Sequence, residues 1–431
     1  MATYRHAKGP NFGQIAIIAL IVVVALSIIS GAAFAIHHFS SSKEKVEETK
    51  ATQATTPATV DEAPTEAPTE DPELEYEKLA KDYLSKMTED EKIYQMLIVT
   101  PKTLTGVSGV TEAGPVTQSA IETYPVGGIL YDSENFENST QTIELIKNSQ
   151  SFAKTPMFIA VNEEGGENSP VSSTLTATKL NAMSTYASEG EAKAQENAAT
   201  IAKDIKAYGF NMNLSPIANI TGDNAFGADS ATASPLVAAA VKGYEEKKVI
   251  STLKSFPTLE DTTDTADKLK ADTLLPFMAG IDSNAGFVML SDCKATAIDA
   301  QYPAYMSQNI VSELLIKDLK FDGVIMTPAL SDSLTTSTYQ VADIVKNSIN
   351  AGVNVFLSPS DANAYAEAIK TAVANKEITQ QQIDNSVTKI LKLKFKYGII
   401  SKSSESTPMQ AATEASTYAT QTSSETTALM Q

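Results

Sequence analysis

The side chains here that could do chemistry are carboxylates and one lysine, gathered just past short apolar runs. Asn162-Glu163-Glu164-Gly165-Gly166 follows one such run and Lys254-Ser255-Phe256-Pro257 another. Glu260, Asp261 and Asp264 trail the second, and Ser291-Asp292 follows a third. Carboxyl groups within reach of a substrate exchange protons with it, so these acids are candidates for acid–base work. Two glycines behind acidic residues make a tight turn that lets a ligand approach the backbone. Taken alone, Glu-Glu-Gly-Gly serves equally well as a plain loop.

What is missing narrows the chemistry further. The only histidines are His6, His37 and His38, so nothing beyond residue 38 carries an imidazole. That removes Ser-His-Asp and Cys-His catalysis and histidine-ligated zinc from the rest of the chain. Cys293 is the single cysteine, which excludes an internal disulfide and a cysteine metal cluster. No metal and no cofactor is expected. Without tryptophan, stacking against a sugar would fall to Tyr or Phe. A net charge of −19 repels phosphate backbones, so nucleic acid is not an expected partner.

The elements that must position these groups recur along the core, residues 74–400. Candidate strands are Gln95–Val99, Gly128–Tyr131, Met157–Val161, Met212–Ser215, Val249–Leu253, Phe287–Leu290, Gly323–Met326 and Val353–Leu357. Most are continuously apolar rather than alternating, as in a parallel sheet covered on its faces. Amphipathic stretches such as Glu191–Tyr208, Asp361–Asn375 and Gln382–Lys396 separate them, and Thr88 with Glu91 forms a capping box. Eight βα units of this length fit a TIM-like (β/α)₈ barrel, whose functional groups stand at the C-terminal strand ends. A doubly wound open sheet has the same pattern.

Outside the core the composition changes. Residues 1–14 are a short N-terminus, and Ile15–Ile36 is an uncharged apolar run of 22 residues. That length spans a hydrocarbon core of about 30 Å, so an uncleaved transmembrane signal anchor is expected, with the N-terminus inside. Residues 37–73 are a Thr/Pro/Glu-rich linker and 401–431 a Ser/Thr-rich tail, neither with apolar periodicity. This layout implies a single-pass protein whose core lies outside a bacterial cell membrane.

The core resembles the N-terminal barrel domain of glycoside hydrolase family 3, in particular its β-N-acetylhexosaminidase-like branch. Matching stretches follow one another in order: Met87–Met96, Pro125–Leu130, Phe158–Gly166, Gly209–Pro216, Leu319–Met326, Ala351–Val355 and Ile390–Tyr397. The resemblance implies a retaining glycosidase, which needs a carboxylate nucleophile and an acid/base group about 5 Å away. The family's nucleophile is an Asp at the end of the seventh strand. The matching run here reads Val324-Ile325-Met326-Thr327-Pro328, so Pro328 takes that place, and the next acid is Asp332. The family's acid/base histidine follows a Lys-His-Phe-Pro motif, matched here by Lys254-Ser255-Phe256-Pro257 with no histidine in the loop beyond.

Sugar contacts implied by the resemblance are also rewritten. Asn162 stands for an Asp, Glu167 for an Arg, Asn224 for a second Arg and Asp292 for a His, while Lys254 alone is retained. Candidate ligand-binding residues are therefore Asn162, Lys254, Ser255 and Asp292. The resemblance leads to an inactive barrel whose mouth binds a wall glycan or another envelope protein. Two alternatives stay open: an active glycosidase using relocated carboxylates, Asp292 with Glu164 or Asp261, and a purely structural scaffold.

Overall fold

The computed structural model describes residues 71–331 and 338–402. The expected membrane run at 15–36, nearly all of the linker, the tail beyond 402 and Asp332 lie outside them. Among the described residues no helix is long and apolar enough to cross a membrane.

Eight parallel strands form around one core: β1 Leu97–Val99, β2 Gly128–Leu130, β3 Phe158–Val161, β4 Met212–Asn213, β5 Thr252–Phe256, β6 Phe287–Leu290, β7 Val324–Ala329 and β8 Val355–Leu357. Strands β1 to β4 and β5 to β8 each neighbour the next in sequence, β8 returns to pair with β1, and β4 and β5 are the two ends of the sheet. Between β4 and β5 the ring is completed by a Met212–Ile250 bridge, with Asn213 N donating to Ile250 O at 2.8 Å. Consecutive order rules out the doubly wound sheet, in which the strand order reverses partway across. The continuous apolar runs follow from this placement, since every residue of β1, β3 and β6 is buried.

Two strands depart from the sequence pattern where the site lies. β5 was expected at Val249–Leu253, yet its ladder with β6 continues to Phe256, so Lys254 and Ser255 belong to the strand itself. β7 runs on to Ala329, which places Pro328 on the strand. Proline has no N–H for the ladder. The β7–β8 register shifts between Met326 and Ala329, and the Thr327 hydroxyl accepts from Leu357 N at 3.0 Å in that stretch.

The N-terminal ends of the strands are closed from below. Phe158 of β3 and Phe287 of β6 meet edge-to-face at 5.4 Å. The helix Gln380–Lys396 lies across this base, where Asn354 bonds Ser386 at 3.1 Å and Lys394 bonds Gln95 at 2.7 Å. A further helix, Pro72–Leu84, starts inside the stretch read as linker, with the Asp71 side chain capping Glu73 N at 3.0 Å. It packs on Gln380–Lys396, and Glu73 pairs with Lys392 and Lys396 at 3.0 and 2.9 Å. The Thr88–Glu91 capping box forms as expected.

Candidate ligand-binding site at the barrel mouth

At the C-terminal ends of β3 and β5 the polar side chains converge. Lys254 Nζ donates to Asn162 Oδ1 at 2.6 Å and to Glu164 Oε1, with which it forms a buried ion pair. The other oxygen of Glu164 accepts from Asn224 Nδ2 at 2.8 Å and Asn168 Nδ2 at 3.2 Å. Asn224 in turn accepts from Met183 N at 2.7 Å, which joins a third loop to the cluster. Burial alone would raise the Glu164 pKa. The charge of Lys254 and the three hydrogen bonds outweigh it and hold the carboxyl below its ordinary value. Burial draws the Lys254 ammonium down while the charge and hydrogen bond of Glu164 pull it back, with a net lowering.

Glu163, one residue earlier, has a different task. Its oxygens accept from Val171 N at 2.8 Å and Ser172 N at 3.2 Å, at the start of the short helix Pro170–Thr174. Burial pushes its pKa up against those bonds. The main chain of Glu163 is gripped at both ends by Asn213, whose amide accepts from Glu163 N at 2.9 Å and donates to Glu163 O at 2.7 Å. Glu163 therefore anchors a loop and does not face a ligand.

The glycine turn serves packing. Gly165 and Gly166 have φ of 84° and 67°, in the region that favours glycine. A Cβ on Gly165 would stand 2.5 Å from Asn181 O, and one on Gly166 2.9 Å from the Ala182 side chain. The close approach expected of a ligand is made instead by the protein's own segment at Asn181–Ala182.

The remaining expected residues are spread around the rim. Ser255 is held through its main chain, with Asn219 accepting from Ser255 N at 2.6 Å and donating to Ser255 O at 2.9 Å. Asp261 is exposed, and its carboxylate accepts from Lys294 N at 2.7 Å. A Thr262–Ala295 bridge continues that seam and ties the loop after β5 to the loop after β6. Asp264 pairs with Lys268 at 2.6 Å, Glu167 is exposed, and Asp292 is half-buried just past β6. Pro328 is half-buried on β7. The structure thus brings Asn162, Glu164 and Lys254 together, and gives Ser255 and Asp261 main-chain partners. Beside Glu164 the barrel leaves a void of only about 10 Å³, at the lower limit for one water.

Asn168, Asn213 and Asn219 complete this arrangement and were not singled out from the sequence. One signal was present. Asparagine is depleted in strands, yet Asn211 stands just before β4 and Asn213 at its end, and their amides bond the main chain at the start of β3 and just past it, Asn211 through Ile159 N and Met157 O at 2.9 and 3.0 Å.

A family model described as the glycosyl hydrolase family 3 N terminal domain matches residues 88–393. The chain belongs to that family. This family 3 barrel is 27% identical over 337 residues to beta-hexosaminidase A of Pseudoalteromonas piscicida, covering 67% of the chain but 56% of that protein. With beta-hexosaminidase of Xanthomonas campestris pv. campestris (strain B100) it shares 29% identity over 278 residues, 59% of the chain and 83% of that protein. Among solved structures, a glycoside hydrolase family 3 beta-N-acetylglucosaminidase from Paenibacillus sp. str. FPU-7 superposes with a TM-score of 0.67 at 24% identity, covering 76% of the chain and 67% of that structure. A Beta-N-acetylhexosaminidase from Beutenbergia cavernae does so with a TM-score of 0.62 at 23% identity, covering 71% of the chain and 98% of that structure. The relatives place the barrel in the β-hexosaminidase-like branch expected from its motifs.

Proposed function

We propose that this family 3 barrel no longer hydrolyses glycosides and uses its mouth to bind a cell-wall glycan or an envelope protein, displayed outside the membrane by an anchor at residues 15–36. The observation that carries the reading is Pro328 on β7, where the family resemblance puts the nucleophile. A proline ring offers no oxygen for a glycosyl ester. The absence of imidazole beyond residue 38 removes the other half of the mechanism. Losing both partners of such a pair costs several kcal/mol of transition-state stabilisation, at about 1.36 kcal/mol per tenfold in rate. The engagement of Glu164 by Lys254, Asn224 and Asn168 supports the same reading, because a carboxylate held that way is a poor nucleophile or proton donor.

The rival uses Asp292 in place of the lost groups, since it is half-buried at a strand end. Incubation with aryl β-N-acetylglucosaminides separates the two. The proposal expects release no faster than the spontaneous rate, and turnover abolished by Asp292→Ala would overturn it. Binding is tested by titrating muropeptides and chitooligosaccharides, with saturable binding weakened by Lys254→Ala as the expected result. No saturable binding would favour a scaffold role.

A further inference from the structure

A second cavity of about 560 Å³ lies beside the mouth, between the start of the helix Ser139–Phe152 and the segment Ser172–Lys179. That volume is within the common range for ligand sites. Among the residues that line it, Leu175 is the one aliphatic side chain, and hydroxyls of Ser139, Thr140, Ser173, Thr174 and Thr176 supply most of the rest. The two walls are pinned rather than loose. Tyr208 donates to Thr176 O at 2.7 Å and pairs with the Ser139 hydroxyl at 2.9 Å. Thr178 N donates to Asp204 at 2.7 Å, and Glu163 holds the start of the short helix Pro170–Thr174 that leads into the same wall.

We infer that this groove is a glycan-contact site separate from the mouth and takes a neutral oligosaccharide. A hydroxyl both donates and accepts, so a row of them complements the adjacent hydroxyls of a sugar. An acyl chain or an apolar peptide would find only Leu175 and a few threonine methyls to cover, the greater part of the lining being polar. The groove's own charges, Glu137 and Lys179, offset one another, and a polyanion would still meet a chain of net charge −19. With no aromatic platform in its lining, the contact would be made by hydrogen bonds, which suits a weak grip repeated along a polymer. The site stands or falls independently of the mouth.

The test is calorimetric titration of the full chain with chitotetraose, comparing wild type, Lys254→Ala, Ser173→Trp and Thr174→Trp. Both serine and threonine are exposed, so an indole there fills the groove without entering the core. With the mouth and the groove both binding, the titration has two components: the mouth's is lost in Lys254→Ala, while the groove predicts a saturable component that remains in that variant and weakens more than tenfold in either tryptophan variant, with melting midpoints unchanged. Binding lost in Lys254→Ala but unaffected by both tryptophans would sink the groove and leave the mouth reading standing. Absence of saturable binding to the wild type would sink it outright.

Discussion

The barrel buries one lysine at each end and treats the two in opposite ways. At the mouth, Lys254 meets a carboxylate and an asparagine, and its partner Glu164 is bonded by two further amides. At the base, Lys394 is fully buried with the Gln95 amide oxygen at 2.7 Å and the face of Phe158 4.8 Å away. Desolvation therefore wins at the base and holds the Lys394 pKa well below its ordinary value. The mouth keeps a charged network of the kind that binds polar ligands. The base keeps an amine whose charged form burial disfavours, joining a helix to the barrel floor.

The contrast is broken most sharply by removing a partner at the mouth. Glu164→Gln leaves the Lys254 ammonium buried without its counter-charge and should cost about 3–5 kcal/mol in urea unfolding. Because the folded pKa of Glu164 is depressed, its stabilisation is present above about pH 4.3 and lost as pH falls through the folded value. The variant should therefore show a shallower acid limb than wild type. An unchanged limb would mean that the pair contributes little.

The next effect in size is Gly165→Ala. A positive φ and a 2.5 Å approach to Asn181 O together should cost about 2–3 kcal/mol. A neutral result would return the glycine turn to the ligand.

At the base the sign with pH is reversed. An unfolded lysine titrates near pH 10.4, so below that value the unfolded chain takes up a proton that folded Lys394 resists. Stability should climb as pH rises from the folded value of Lys394 towards about 10.4, by at most about 1.4 kcal/mol per pH unit from this group. Lys394→Met should flatten that climb, whereas an identical slope would show that the amine stays charged when buried. The smallest effect belongs to the rim. Asp261→Asn keeps an oxygen for Lys294 N and should shift stability by no more than about 0.5 kcal/mol.

These differences mark where the sequence was legible. Apolar runs located all eight strands because a strand buried on both faces has to be apolar along its length, as in β3 and β6. They misplaced the ends of β5 and β7, where Lys254, Ser255 and Pro328 interrupt the run while the strand continues. Lys254 and Asn162 could be named from their motif neighbours. The sorting of Glu163 from Glu164 could not, since it depends on which carboxylate meets a helix start and which meets a lysine 90 positions away. The start of Pro72–Leu84 was hidden because Pro72 and Glu73 share the composition of the linker before them.

The most direct test is intact-protein mass spectrometry of the full chain after exposure to an activated, fluorinated β-N-acetylglucosaminide that traps retaining glycosidases. With a pyrrolidine ring where the ester would form, the mass should stay that of the unmodified protein. A stoichiometric glycosyl adduct on any carboxylate, Asp292 included, would contradict the loss of catalysis.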